Sequence, residues 1–182
     1  MQFVRTADDR QDWGGLIGFR VVAELPDRGF ASGGKGGAPP FMHWQKHCAE
    51  SPQFTAEGVM RAICPKLSDV EVAAYAAPFP DERYRAGARR FPTLVPIIPD
   101  DVVVPDNRRA WEVPRSFTRP FPTAFTDSDP VTASLHTRFQ AEVPGAKGQP
   151  HTTIRGAGHF VQEDAGEELA RIAIDFITHA AS

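Results

Sequence analysis

Cysteine is nearly absent from this chain of 182 residues. Cys48 and Cys64 are too few for a disulfide framework and lack metal-type spacing, although the pair could in principle bridge. A reducing, cytoplasmic setting is the default. A surplus of one charge is missing too: 20 basic and 23 acidic residues are mixed along the chain, for a formal net charge of −3. Nucleic acid and anionic membrane surfaces therefore drop out as leading partners. No run approaches the ~18 apolar residues of a spanning helix. Asp8 and Asp9 interrupt the stretch after Met1-Gln2-Phe3-Val4-Arg5 before a signal-peptide core could form. The expectation is a soluble, unexported protein without internal repeats. Its length suits one domain, or a small core with an inserted subdomain, and argues against two full domains.

Helical spacing of Ile17, Val21, Val22 and Leu25 predicts a helix after Gly14-Gly15, ended by Pro26. The glycines of the run from Gly29 to Pro40 cannot build a core and read as a flexible linker. From Phe41 to about Arg115 the pattern is short helices. Ser51-Pro52 reads as one helix start, with proline at the first helical position. Ser68-Asp69-Val70-Glu71 reads as another, a capping box flanked by Leu67 and Val72 at the positions of a hydrophobic staple. Pro78, Pro80, Pro92, Pro96 and Pro99 then exclude strands from Phe79 to Asp101. After Arg119, Phe121 to Phe125 and His151 to Ile154 are strand candidates on either side of a helix near Val131 to Gln140. A final helix carries Leu169, Ile172, Phe176 and Ile177 on one face, with Glu167, Glu168, Arg171 and Asp175 opposite. Strand, helix, strand, helix predicts the end of a parallel α/β sheet.

Three segments could carry chemistry. Gln11-Asp12-Trp13-Gly14-Gly15 has the shape of a nucleophile elbow, an acid on a tight turn with small neighbours that admit a helix close by. Standing alone, Asp12 would read as a helix cap. Asp129, in Thr126-Asp127-Ser128-Asp129-Pro130, and His159, in Gly156-Ala157-Gly158-His159-Phe160, each follow a strand candidate, where open α/β sheets hold their sites. Singly they read as a turn former and a loop histidine. Together, nucleophile, acid and histidine stand in the order of a hydrolase triad. His43 and His47 lie one helical turn apart but have no acidic or cysteine partner at matching spacing, so they read as a polar helix face rather than a metal pair.

Gln11-Asp12-Trp13-Gly14-Gly15, Trp44 in Phe41-Met42-His43-Trp44, the run Ala74 to Asp81, and Ala157-Gly158-His159-Phe160-Val161-Gln162-Glu163 resemble the haloalkane dehalogenases. The branch typified by the dichloroethane enzyme is the most similar. The resemblance implies an α/β-hydrolase fold in which Asp12 attacks the halogen-bearing carbon, and His159, oriented by Asp129, activates water against the resulting ester. It also implies that Trp13 and Trp44 aim indole N–H groups at the halide, and that Phe41 and Val131 line an apolar pocket. Substrate and products are then a small halogenated alkane, water, an alcohol and a halide ion, with no metal or organic cofactor. Plain core packing is an equally good reading of Phe41 and Trp111.

Against the family pattern, Thr6-Ala7-Asp8-Asp9-Arg10 is too polar for the buried strand that should deliver Asp12. The Gly-rich run replaces a further strand. The expected fold class is thus α/β, an incomplete α/β-hydrolase fold holding the C-terminal part of a parallel sheet and an inserted helical cap, truncated at its N-terminus and internally deleted. The expected divisions are 1–28 for the elbow remnant, 29–40 for the linker, 41–115 for the cap and 116–182 for the C-terminal core. Little cooperative melting and turnover near background are expected of so small a sheet. Two alternatives stay open: an epoxide hydrolase-like enzyme, for which Tyr75 and Tyr84 are the only tyrosines, and a catalytically inactive fragment.

Overall fold

The structure is a computed structural model that describes residues 39–95, 100, 102, 104–132 and 135–180. Asp12, Trp13, the helix predicted after Gly15 and all but the last two residues of the Gly-rich run lie outside the described residues.

Helix α1, Pro39–Glu50, begins on the two prolines that close that run. Proline suits a helix start, where no intrahelical partner awaits its missing N–H. Ser51-Pro52 does not start a helix as expected. Ser51 instead accepts from the backbone N–H of Gln53, and α2, Ala56–Ile63, starts four residues later on Thr55, whose hydroxyl accepts from the Gly58 N–H at 3.0 Å. The intervening turn exists to bury Phe54, 4% exposed, between Trp44 and His47 of α1 and the guanidinium of Arg89. Arg89 also closes the end of α1 by donating to the carbonyls of Cys48 and Ser51, each at 2.9 Å. Such a cation satisfies acceptors that a helix terminus leaves open. Helix α3, Asp69–Ala76, has the predicted capping box, with Ser68 and Glu71 bonded reciprocally and Val72 buried beneath. A 3-10 turn at Glu82–Arg85, the short helix α4 at Ala86–Arg90 and a second 3-10 turn at Phe91–Leu94 follow, in keeping with the proline-rich composition. Gln45 of α1 ties this segment down by donating to the carbonyls of Pro92 and Val95.

Helix α5, Val104–Ser116, leads into β1, Ala124–Thr126, then α6, Leu135–Glu142, β2, Thr152–Ile154, and α7, Val161–Ala180. The two strands pair in parallel, Ala124 opposite Thr152 and Thr126 opposite Ile154. Both are shorter than predicted. Phe121 N–H donates to the Gly145 carbonyl and Thr123 N–H to the ring of His151, so these donors never enter the ladder, and Pro122 between them has none. Helix α6 starts later than predicted because residues 130–132 form a turn around Asp129. Helix α7 is interrupted at Ala165, whose φ of −149° and ψ of 38° are not helical, and Ile177, placed on its buried face by periodicity, is 49% exposed.

Two apolar clusters support the strands. Trp111, Phe139, Val143 and Ala146 form one, with Phe121 and Phe125 against it; Ile154, Ala157 and Val161 form the other, packed by Leu169 and Ile172. Gly145, next to Ala146 of the first cluster, has no room for a side chain, because a Cβ there would sit 1.8 Å from the Arg119 carbonyl oxygen. Gly87, in α4, has nothing within 4 Å of the same position. Gly145→Ala is therefore expected to destabilise by about 2–4 kcal/mol, and Gly87→Ala to stabilise by about 0.5–1 kcal/mol through helix propensity. Urea unfolding of both variants checks this, and equal effects would contradict it.

Candidate active site

The turns that leave the carboxyl ends of β1 and β2 lie side by side because the parallel register carries on past the strands. Asp127 N–H donates to the Ile154 carbonyl and Ser128 N–H to that of Ala157. Asp127 itself faces outward and staples the two turns, its carboxylate accepting from Gly156 N–H at 2.8 Å and from the Ser128 hydroxyl. The Gly156 bond, and next the Ser128 bond, hold the Asp127 carboxyl below its usual range. Gly156 has a φ of 69°, a left-handed conformation that favours glycine.

This stapling brings the Asp129 carboxylate to 3.1 Å from Nδ1 of His159. Asp129 is 7% exposed, so desolvation, the largest single influence, acts against its charge. Bonds from His159, from the Thr132 hydroxyl and from the Val131 N–H at 2.7 Å together outweigh burial and lower the carboxyl from 3.8 to about 2. An ionised carboxylate only accepts, so Nδ1 of His159 carries the shared proton and Nε2 is the basic nitrogen. Phe160 sets its ring edge-on to the imidazole, with centroids 5.5 Å apart at 87°. A tautomer fixed in this way can take a proton from water at Nε2 and stabilise the imidazolium through Asp129.

Of the residues singled out in the sequence, Asp129, Val131 and His159 thus come together. Val131 does so through its backbone N–H, its residue being 38% exposed. Trp44 is half-buried on α1, its ring stacked on His47 at 6.0 Å and tilted against Phe54, with Phe41 half-buried nearby in sequence. Asp12 and Trp13 lie outside the described residues. Among the described residues, no cluster of three or more His, Cys, Asp or Glu side chains could hold a metal, and no helix is long and apolar enough to cross a membrane. Cys48 and Cys64 are both free and buried, and burial pushes the Cys48 thiol up to about 11.

Sequence reading missed Thr132, although Asp-Pro-x-Thr is a legible signal: an aspartate ahead of a turn whose N–H and hydroxyl groups fold back on it. It also missed Asp164 and Lys66, and it named Thr126 and Tyr75 without the contacts they make. Lys66 donates to the Gly156 carbonyl, and the Tyr75 phenol donates to Glu163 at 2.5 Å, so α3 and the residues before it are tied to the histidine loop and its following helix. No local pattern announces such contacts.

The tetrameric haloalkane dehalogenase DpaA from Paraglaciecola agarilytica superposes with a TM-score of 0.76 at 28% identity, over 91% of this chain and 58% of its own. DatA from Agrobacterium tumefaciens gives 0.71 at 16% identity, over 93% and 65%, which bears on fold alone. The described strands and helices are therefore part of an α/β-hydrolase fold. Among curated proteins, a haloalkane dehalogenase of Psychrobacter cryohalolentis is 48% identical over 178 residues, 92% of this chain and 58% of that protein. One of Mycolicibacterium paratuberculosis is 41% identical over 174 residues, 88% and 56%. No family model matches the chain. Over the part it spans, a little over half the length of these relatives, the chain is similar to haloalkane dehalogenases.

The lowered Asp129 carboxyl makes stability depend on pH. Because its folded-state pKa lies below the unfolded value, its stabilisation is present above about pH 4 and is lost as pH falls toward 2; a shift of this size corresponds to about 2 kcal/mol. The stability advantage of the parent over Asp129→Asn, from urea unfolding, should be largest near neutrality and shrink from about pH 4 toward 2. An advantage unchanged down to the lowest pH would contradict the assigned ionisation.

Proposed function

We propose that this chain carries the chemistry of a haloalkane hydrolase acting through an aspartyl ester. The Asp129–His159 pair, mounted on adjoining turns at the carboxyl ends of parallel strands, is the observation that carries the reading. In the first step a carboxylate oxygen of Asp12 forms a bond to the halogen-bearing carbon as the carbon–halogen bond breaks, and halide leaves with the electron pair. In the second step His159 Nε2 takes a proton from water, whose oxygen attacks the ester carbonyl; the alcohol departs protonated and the carboxylate is regenerated. Haloalkane and water thus give alcohol, halide and one proton. Trp13 and Trp44 stabilise the halide through their indole N–H groups, and Phe41 and Val131 line the apolar pocket. The helices from Phe41 to Arg115 serve as the cap, and the part from 116 onward as the core beneath it. The scheme uses no metal or organic cofactor, and unpaired thiols suit a cytoplasmic setting.

No observation favours the epoxide alternative, which needs two tyrosine phenols at one substrate oxygen. Tyr75 is bonded to Glu163, a contact that raises its phenol to about 12, and Tyr84 is 57% exposed. The test is bromide release from a brominated alkane. Release above that of Asp12→Ala is expected, however slow, together with an alkyl ester that accumulates by intact mass in His159→Gln, where the second step lacks its base. Bromide release unaffected by Asp12→Ala would reject the ester mechanism, and a cooperatively folded chain with neither release nor ester would favour the inactive fragment.

A further inference from the structure

The backbone on which His159 is mounted is held by two side chains outside the proposed triad. Gly158, the preceding residue, has both of its polar groups engaged by side chains from elsewhere. Its N–H donates to the Asp164 carboxylate at 2.8 Å, and its carbonyl accepts from the Thr126 hydroxyl at 3.1 Å. That carbonyl belongs to the peptide plane joining Gly158 to His159, so the Thr126 bond fixes the plane from which the imidazole projects. Thr126 is 8% exposed and is the last residue of β1, opposite Ile154 and three positions ahead of Asp129. The strand that presents the acid therefore also anchors the histidine.

Asp164 works from the opposite direction. It lies in the first turn of α7 and reaches back six residues, and the non-helical Ala165 follows it directly. The approach is close: a Cβ on Gly158 would stand 3.3 Å from the Asp164 oxygen. Glycines at 156 and 158 leave this loop more conformational freedom than any other residue would. General-base geometry tolerates displacements of only about 0.5 Å, so the freedom has to be removed by bonds to neighbours.

We propose that Thr126 and Asp164 are positioning residues for His159, clamping the Gly158 peptide so that the imidazole meets Asp129 and turns Nε2 toward the ester. The inference rests on the hydrolase reading above and extends it to how the base is aimed. Neither side chain touches a reacting atom. Their effect falls on the second step alone, because only ester hydrolysis uses His159.

The full chain is compared with Thr126→Val, which keeps the volume and loses the hydroxyl, and with Asp164→Leu. Thr126→Ser and Asp164→Asn keep the donor and the acceptor. Followed by intact mass with a brominated alkane, Thr126→Val and Asp164→Leu should hydrolyse the ester about 10- to 100-fold more slowly. Alkylated Asp12 then accumulates while its formation rate stays within about twofold of the parent, and Thr126→Ser and Asp164→Asn return to parental behaviour. Equal slowing of both steps, or no change in either, would overturn the proposal. Failure of the hydrolase reading looks different, since His159→Gln would then form no ester. In that event nuclear magnetic resonance of the His159 Nδ1 proton decides. A slowly exchanging resonance is expected in the parent and in Thr126→Ser and Asp164→Asn, and its loss in Thr126→Val and Asp164→Leu; persistence in all five proteins would overturn the proposal.

Discussion

The hydrogen bond between Asp129 and His159 depends on strand register more than on either residue. Thr126 stands opposite Ile154, and the pairing continues one bond beyond through the Asp127 N–H. A slip of one residue would turn every side chain of β1 to the other face and carry the turn bearing Asp129 away from the turn bearing His159. Ile154, Ala157 and Val161 support that register by forming, with Ala124, Leu169 and Ile172, an apolar cluster around β2 and the turn that follows it. The aspartate stays ionised despite its burial because three donors converge on it, so the polar pair and the apolar cluster beneath it depend on one another.

A second, partly exposed carboxylate does related work between α5 and α6. Glu142 at the end of α6 accepts from Arg138, the Trp111 indole and Arg115, and these bonds, Arg138 first, lower its carboxyl from 4.5 to about 2. Arg138 also lies over the Trp111 ring at 3.6 Å, and Trp111 packs on Phe139. Helix α5 is thereby locked to α6 at a site where an indole supplies apolar area and a donor together. The core reading of Trp111 describes this position.

What the sequence disclosed was whatever its neighbours along the chain decide. The Ser68 capping box and, as far as Val95, the proline-punctuated stretch after Phe79 act within a few residues, and both are found where expected. The parallel strand, helix, strand, helix order was legible for the same reason, although the strand ends were not, since side chains and turns distant in sequence take the donors of Phe121 and Thr123. Ser51-Pro52 carried a good local signal and lost to a tertiary demand, the burial of Phe54 beneath Arg89. In the site, the proximity of an acid and a histidine could be read from residue order, whereas the hydroxyl and carboxylate that hold Gly158 are recognisable only once β1, the histidine loop and α7 have met.

The links from the helical block to the histidine loop have a consequence for how the chain folds. Lys66 and Gly156 are 90 residues apart, and Tyr75 and Glu163 are 88 apart. Closing such long loops costs chain entropy that local helices do not have to meet, and contacts of this separation slow folding. The capping box at Ser68 acts within a few residues, but the loop of His159 takes its final shape only when those distant partners arrive. The geometry around His159 is thus a property of the finished topology rather than of any preassembled segment.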